Sequence, residues 1–126
     1  MNIPNNLKYA ESHEWIRVEG NEAFIGITEF AVGELGDVSF VEIETEGEDL
    51  EKGEMFGTIE AVKTVTDVYM PVSGQVLEVN QDVLDTPELL NNAPFDAGWL
   101  IKISIANPSE LDNLLDANAY AEIAKH

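Results

Sequence analysis

The sequence predicts a mainly β fold, a sandwich of strands finished by short helices. Three observations predict it. Short apolar alternations broken by Gly, Pro, Asn and Asp fill the middle of the chain, which is how hairpin-connected strands read. Residues 48–59 and 73–84 echo each other, each joining a Gly turn to alternating Val, Leu or Ile. Two such halves meeting at Lys63 form a sandwich with pseudo-twofold symmetry. Residues 117–125 are Ala-rich and predict a C-terminal helix.

The elements follow in order. Residues 15–18 and 23–27 flank Glu19-Gly20-Asn21-Glu22, a hairpin in which Gly20 and Asn21 supply the positive φ of a tight turn. Thr28 caps a short helix with Glu29 in its first turn, ending near Gly33. Residues 38–43 are a strand, 45–52 an acidic loop, and Gly53 its turn. Strands 56–62 and 64–70 flank Lys63, and Pro71 ends the second because it has no ladder N–H. Gly74 turns the chain into a strand over 75–80. Thr86 caps a short helix after Pro87. Residues 94–98 turn into a last strand over 99–105, and Pro108 opens a helix reaching 111–115.

The chain has 126 residues, 44% of them apolar. This suits one domain over 1–126, with a helical tail at about 108–125. There is no cysteine, so disulfides, thiolate metal sites and cysteine nucleophiles are excluded, and redox chemistry has to come from a cofactor. The N-terminus has neither the basic and apolar regions of a signal peptide nor the Arg content of a transit peptide. No apolar run approaches the roughly 20 residues that span a bilayer. The expected place is a prokaryotic cytoplasm.

Charge narrows the partners. Twenty-five acids against six bases give a net of −19. Such a surface repels phosphate backbones and anionic lipids, so nucleic-acid and membrane roles are not expected. It attracts basic patches on partner proteins; solubility explains it equally well. No Ser-His-Asp arrangement, HExxH helix, EF-hand or phosphate loop is present, so neither a catalytic nor a metal site is expected. His13 reads as structural, packed beside Trp15. Trp15 and Trp99 read as core or cleft walls.

Lys63 lies between two β-forming runs, with Val62 and Val65 expected to anchor the flanking backbone in the core. The side chain then projects where a modifying enzyme reaches it. A group on a flexible stem gains effective concentration at several active sites in turn. By position alone, an ordinary solvated lysine explains the site as well.

The surrounding string adds more. Gly57, Glu60-Ala61-Val62-Lys63 and Val68-Tyr69-Met70-Pro71-Val72-Ser73-Gly74 resemble the lysine hairpin of lipoyl and biotinyl carrier domains. Ser12-His13-Glu14-Trp15, Gly26-Ile27-Thr28, Glu34-Leu35-Gly36-Asp37, Phe40-Val41-Glu42 and Gly98-Trp99-Leu100-Ile101-Lys102 narrow the resemblance to the H-protein family of the glycine cleavage system. It runs from about Leu7 to Ala121.

The resemblance implies a lipoyl/biotinyl-type barrel-sandwich hybrid of two antiparallel sheets. It implies lipoic acid joined by an amide bond to Lys63. It also implies a carrier without turnover of its own, serving glycine catabolism and one-carbon metabolism. That carrier takes an aminomethyl group from the pyridoxal-phosphate-dependent glycine decarboxylase (P protein). It passes the group to the tetrahydrofolate-dependent aminomethyltransferase (T protein), and is reoxidised by dihydrolipoamide dehydrogenase (L protein). Lipoylating enzymes are further partners, and visiting so many suits a monomer.

The resemblance places Ser12, Glu14 and Asp67 along a cleft for the arm, where carboxylates stabilise a cationic amine and limit its hydrolysis. Two solvated acids are the alternative for Glu14 and Asp67. Glu60, three residues before the lysine, is implied in recognition by the lipoylating enzyme; an acid that discourages edge pairing is the alternative. Two departures stand out: Ala61 where the family often has Ser, and Glu34 where some relatives have His. The second points to a different pH dependence of arm release. Biotin acceptors put Met on both sides of the lysine, whereas Val62 and Thr64 flank it here. A lipoyl relay to other complexes stays open.

Overall fold

A computed structural model describes residues 2–124. The strands form two antiparallel sheets. The chain opens with β1 (Lys8–Tyr9), β2 (Glu14–Glu19), β3 (Glu22–Ile27), helix α1 (Glu29–Leu35) and β4 (Val38–Glu42). Then come β5 (Asp49–Leu50), β6 (Met55–Ala61), β7 (Val65–Tyr69) and β8 (Gly74–Val79). Helices α2 (Gln81–Asp85) and α3 (Leu89–Asn92) precede β9 (Ile101–Ile105). A 3-10 turn (Pro108–Asn113) and helix α4 (Ala117–Ile123) complete the order. The larger sheet runs β1-β2-β3-β9-β8-β5 and the smaller β4-β6-β7. Among the described residues no helix is long and apolar enough to cross a membrane.

The predicted hairpins form, with corrections that have physical causes. At the β2–β3 turn only Gly20 has positive φ, +67°, and Asn21 does not. This is the type II′ pattern, which needs glycine at the first central position alone. Thr28 caps α1, accepting from Ala31 N–H at 3.3 Å. The helix runs past Gly33 because Val32 and Leu35, three apart, both bury against the core. The acidic loop holds a short strand, β5, which buries Leu50 by pairing Asp49 with Gln75. Gly74 is the first residue of β8, and a Cβ there would strike the Ser104 carbonyl, so the residue also serves close strand approach. Thr86 ends α2 rather than capping α3, its N–H donating to Asp82 O at 2.8 Å. Pro108 opens the 3-10 turn, which stops at Asn113. The final helix reaches Ile123; Lys125 lies outside the described residues.

The two echoing segments do not form matching elements. Residues 48–59 become β5 and β6, in different sheets, whereas 73–84 become β8 and the start of α2. Asn80 diverts the second copy. Its side chain accepts from Asp82 N–H at 3.1 Å, capping α2. It also donates to the Ala97 and Trp99 carbonyls at 2.9 and 2.7 Å.

The main core contains Ile16, Ile25, Val41, Phe56, Ile59, Val68, Met70, Val76, Leu100, Ile101 and Ile103. A second cluster joins Leu7, Tyr9, Trp15, Ala117 and Tyr120, so α4 docks through aromatic contact. The Tyr9 and Tyr120 rings stack with centroids 4.7 Å apart. Trp15 is fully buried and donates to Pro94 O at 2.9 Å, while Trp99 is half-buried against Phe24.

Candidate functional site

Lys63 stands exposed at the tip of the β6–β7 hairpin. The tip is tight, with Ala61 N–H donating to Thr64 O at 2.8 Å across Val62 and Lys63. A second backbone bond, Val62 N–H to Asp37 O at 3.0 Å, ties it to the connection between α1 and β4. Gly36 caps α1 with φ +80°, its N–H donating to Val32 O. A Cβ on Gly36 would lie 3.5 Å from both Cδ and Cε of Lys63. The lysine stem therefore runs over the end of α1.

The core does not anchor this tip. Val62 is 77% exposed and Val65 57%. Alternation along β7 sends Val68 inward and puts Val65, Asp67 and Tyr69 on exposed positions. Backbone bonds hold the hairpin instead. Glu60 is exposed and faces Phe40 on β4 and Val65 on β7 in the register. Since β6 is the middle strand of its sheet, Glu60 guards no edge, and that reading of it falls.

The three cleft candidates converge. Ser12, Glu14 and Asp67 border one cavity of about 150 Å³ between α1, β7 and the loop before β2, with His13, Phe30 and Glu34 also on its wall. A larger cavity of about 400 Å³ shares only Ser12 with it and contains neither Glu14 nor Asp67. Chemistry, and not size, makes the smaller one the candidate. On its α1 side it is walled by Glu34 and Leu35, next in the chain to the Gly36 that Lys63 covers.

Glu14 is 1% exposed. The Ser12 hydroxyl donates to its carboxylate, and Tyr69 N–H donates at 3.2 Å. The ion pairs among the described residues are Arg17–Glu19 and Lys102–Glu22, so no basic side chain pairs with it. Burial pushes its pKa up to about 7, opposed by those two hydrogen bonds. The solvated-acid reading of Glu14 is thereby removed. Asp67 is exposed at the mouth, accepting from the Thr58 hydroxyl at 3.2 Å.

One neighbour escaped the sequence reading. Tyr120 brings its buried hydroxyl to Thr28 Oγ1 at 2.6 Å and to His13 Nδ1 at 2.8 Å. Burial raises the Tyr120 pKa, the Thr28 bond opposing it, so the phenol keeps its proton. Burial lowers the His13 pKa, with Glu34 partly countering. His13 packs on Phe30 and Tyr120, at 5.0 and 5.7 Å between ring centroids, rather than beside Trp15. It is the described non-glycine residue with positive φ, +77°, an uncommon conformation that sits beside the cavity. One aromatic in an Ala-rich tail is the sole trace of Tyr120 in the sequence. Among the described residues no group of three or more His, Asp or Glu is arranged to hold a metal.

A lysine raised on a tight hairpin, in a fold of two antiparallel sheets, defines the class: a barrel-sandwich hybrid of the lipoyl/biotinyl carrier type. A crystal structure of a glycine cleavage system H protein from Mycobacterium marinum superposes with a TM-score of 0.83 at 36% identity, covering 95% of this chain and 97% of that one. The chain belongs to the Glycine cleavage H-protein family, whose sequence profile matches residues 7–126. It is 54% identical to the glycine cleavage system H protein of Bacteroides fragilis, over 98% of each chain. It is 53% identical to that of Symbiobacterium thermophilum, over 98% of this chain and 97% of the relative.

Proposed function

We propose that this chain is the lipoyl-bearing carrier of glycine cleavage, with Lys63 as the attachment point. One observation carries the proposal: a family member presents an exposed lysine at a tight hairpin tip, close in the fold to a buried carboxyl with no basic partner. The lysine amine is free to be acylated by lipoic acid, giving an amide. Once bound, the dithiolane supplies reversible thiol chemistry for carrying an aminomethyl group. The flanking Val62 and Thr64, in place of methionines, favour lipoate over biotin.

The chain's own residues supply the holding site. A carboxyl with a pKa of about 7 is half ionised at neutrality. A cationic amine brought beside Glu14 favours the carboxylate, so docking releases a proton and forms a charge-assisted bond. The Ser12 hydroxyl and Tyr69 N–H keep the carboxylate oriented. Asp67 adds a second negative charge at the mouth, and the cavity walls exclude water. Glu60, with Phe40 and Val65 beside it, offers a lipoylating enzyme an acidic and apolar surface next to its target lysine.

In this reading the carrier has no turnover of its own. It works as a cytoplasmic monomer between the P protein, the T protein and the L protein. Intact mass after incubation with lipoate, ATP and a lipoate ligase tests the attachment: one lipoyl increment, absent from Lys63→Arg, is expected. Reconstitution with the P, T and L proteins then tests the carrier role through glycine-dependent NADH formation. No increment under conditions that modify a control H protein, or modified protein that supports no NADH formation, would overturn the proposal.

A further inference from the structure

We infer that Asn91, on α3, is a positioning residue that sets where the Lys63 hairpin stands. The inference rests on the carrier reading only for its functional consequence. Asn91 is half-buried and 28 residues downstream of the lysine. Its side chain spans the connection between α1 and β4: Nδ2 donates to Gly36 O at 2.9 Å, and Oδ1 accepts from Val38 N–H at 2.9 Å. The amide orientation is unambiguous, since a backbone carbonyl only accepts and a backbone N–H only donates. Between the two clamped residues lies Asp37, whose carbonyl accepts from Val62 N–H at 3.0 Å. Beside them Gly36 carries the lysine stem at its open face.

The chain of contacts is therefore Asn91, then residues 36–38, then Val62 and Lys63. It matters because the valines flanking the tip contribute no core burial. Without Asn91, Gly36 O and Val38 N–H lose their partners and the connection gains freedom. The hairpin itself stays paired through Ala61 and Thr64, so the tip loses position rather than structure. A protein that must present one lysine to several enzymes is sensitive to that loss.

The test uses the full-length unmodified protein and its Asn91→Leu variant, an apolar replacement of similar size. Amide hydrogen exchange is expected to quicken about tenfold at Val62, in keeping with about 1.4 kcal/mol of lost hydrogen bonding. Amides of Ile25 and Ile103 in the large sheet should not change. Lipoylation of the variant should show a several-fold higher KM for the protein with kcat nearly unchanged. If Val62 exchange is unchanged in a folded variant, the inference is overturned.

A measurement on the wild type covers a variant that fails to fold. The Asn91 side-chain amide and the Val62 backbone amide should exchange through one opening event, with the same dependence on low concentrations of urea; separate dependences would overturn the inference. A wild-type protein that no lipoylating enzyme modifies would sink the carrier reading alone, because the exchange result does not depend on it.

Discussion

The tip at Lys63 and the cleft at Glu14 are built on opposite rules. At the tip, polar and apolar side chains alike face water, and backbone hydrogen bonds supply the order. In the cleft an acid is taken out of water and ordered by a hydroxyl and a backbone N–H. In the proposed reading, the contrast separates presentation from storage within one carrier. Presentation needs access and a fixed position. Storage needs desolvation, which makes a carboxylate costly until a cation joins it.

The largest effect expected is at the tip. Lys63→Arg should abolish lipoylation and all transfer, because a guanidinium does not form the amide. Thermal unfolding should stay within about 0.5 kcal/mol of wild type, as for an exposed substitution. A variant that still carried cargo would break the division between the two regions.

The next effect lies in the cleft and depends on pH. Glu14 titrates near 7 when folded and near 4.5 when unfolded. Below 4.5 it is protonated in both states and carries no penalty. As the pH rises from 4.5 to 7 the unfolded chain gives up the proton first, so stability falls, by about 3 kcal/mol above pH 7. Glu14→Gln removes this slope. Urea unfolding should find the variant equal to wild type at pH 4 and more stable at pH 8, while its retention of the aminomethyl group worsens. A difference that is flat with pH would show that Glu14 is not buried as an acid.

The smallest effect returns to the tip. Val62→Ser with Val65→Ser should change stability by no more than about 0.5 kcal/mol. Calorimetry showing a loss typical of a core cavity, about 2 kcal/mol or more, would restore the anchoring role that the sequence suggests.

The strands, the Thr28 cap and the site of Lys63 were legible because period-two alternation and turn residues are local signals. Family motifs picked out Ser12, Glu14 and Asp67, and the fold brings them to one cavity. What stayed hidden is tertiary. Nothing near Glu14 in the chain announces its burial, since the Tyr69 N–H reaches its carboxylate from 55 positions later, and Tyr120 arrives later still to bond the neighbouring His13 and Thr28. Val62 and Val65 misled because β-branched residues suit a strand whichever face they occupy. The echo between 48–59 and 73–84 misled because Asn80 caps a helix where its counterpart, Met55, begins a strand.

The exposure of Val62 and Thr64 has a further consequence. In the proposed reading the residues beside the lysine carry the address read by modifying enzymes, yet the interior makes almost no demand on them. The label can be rewritten without rebuilding the house. Putting methionine at both positions is a route to re-addressing the carrier toward biotin, on a scaffold whose backbone ties to Asp37 stay in place. An engineer or a drifting lineage would find the choice of prosthetic group separable from the stability of the fold.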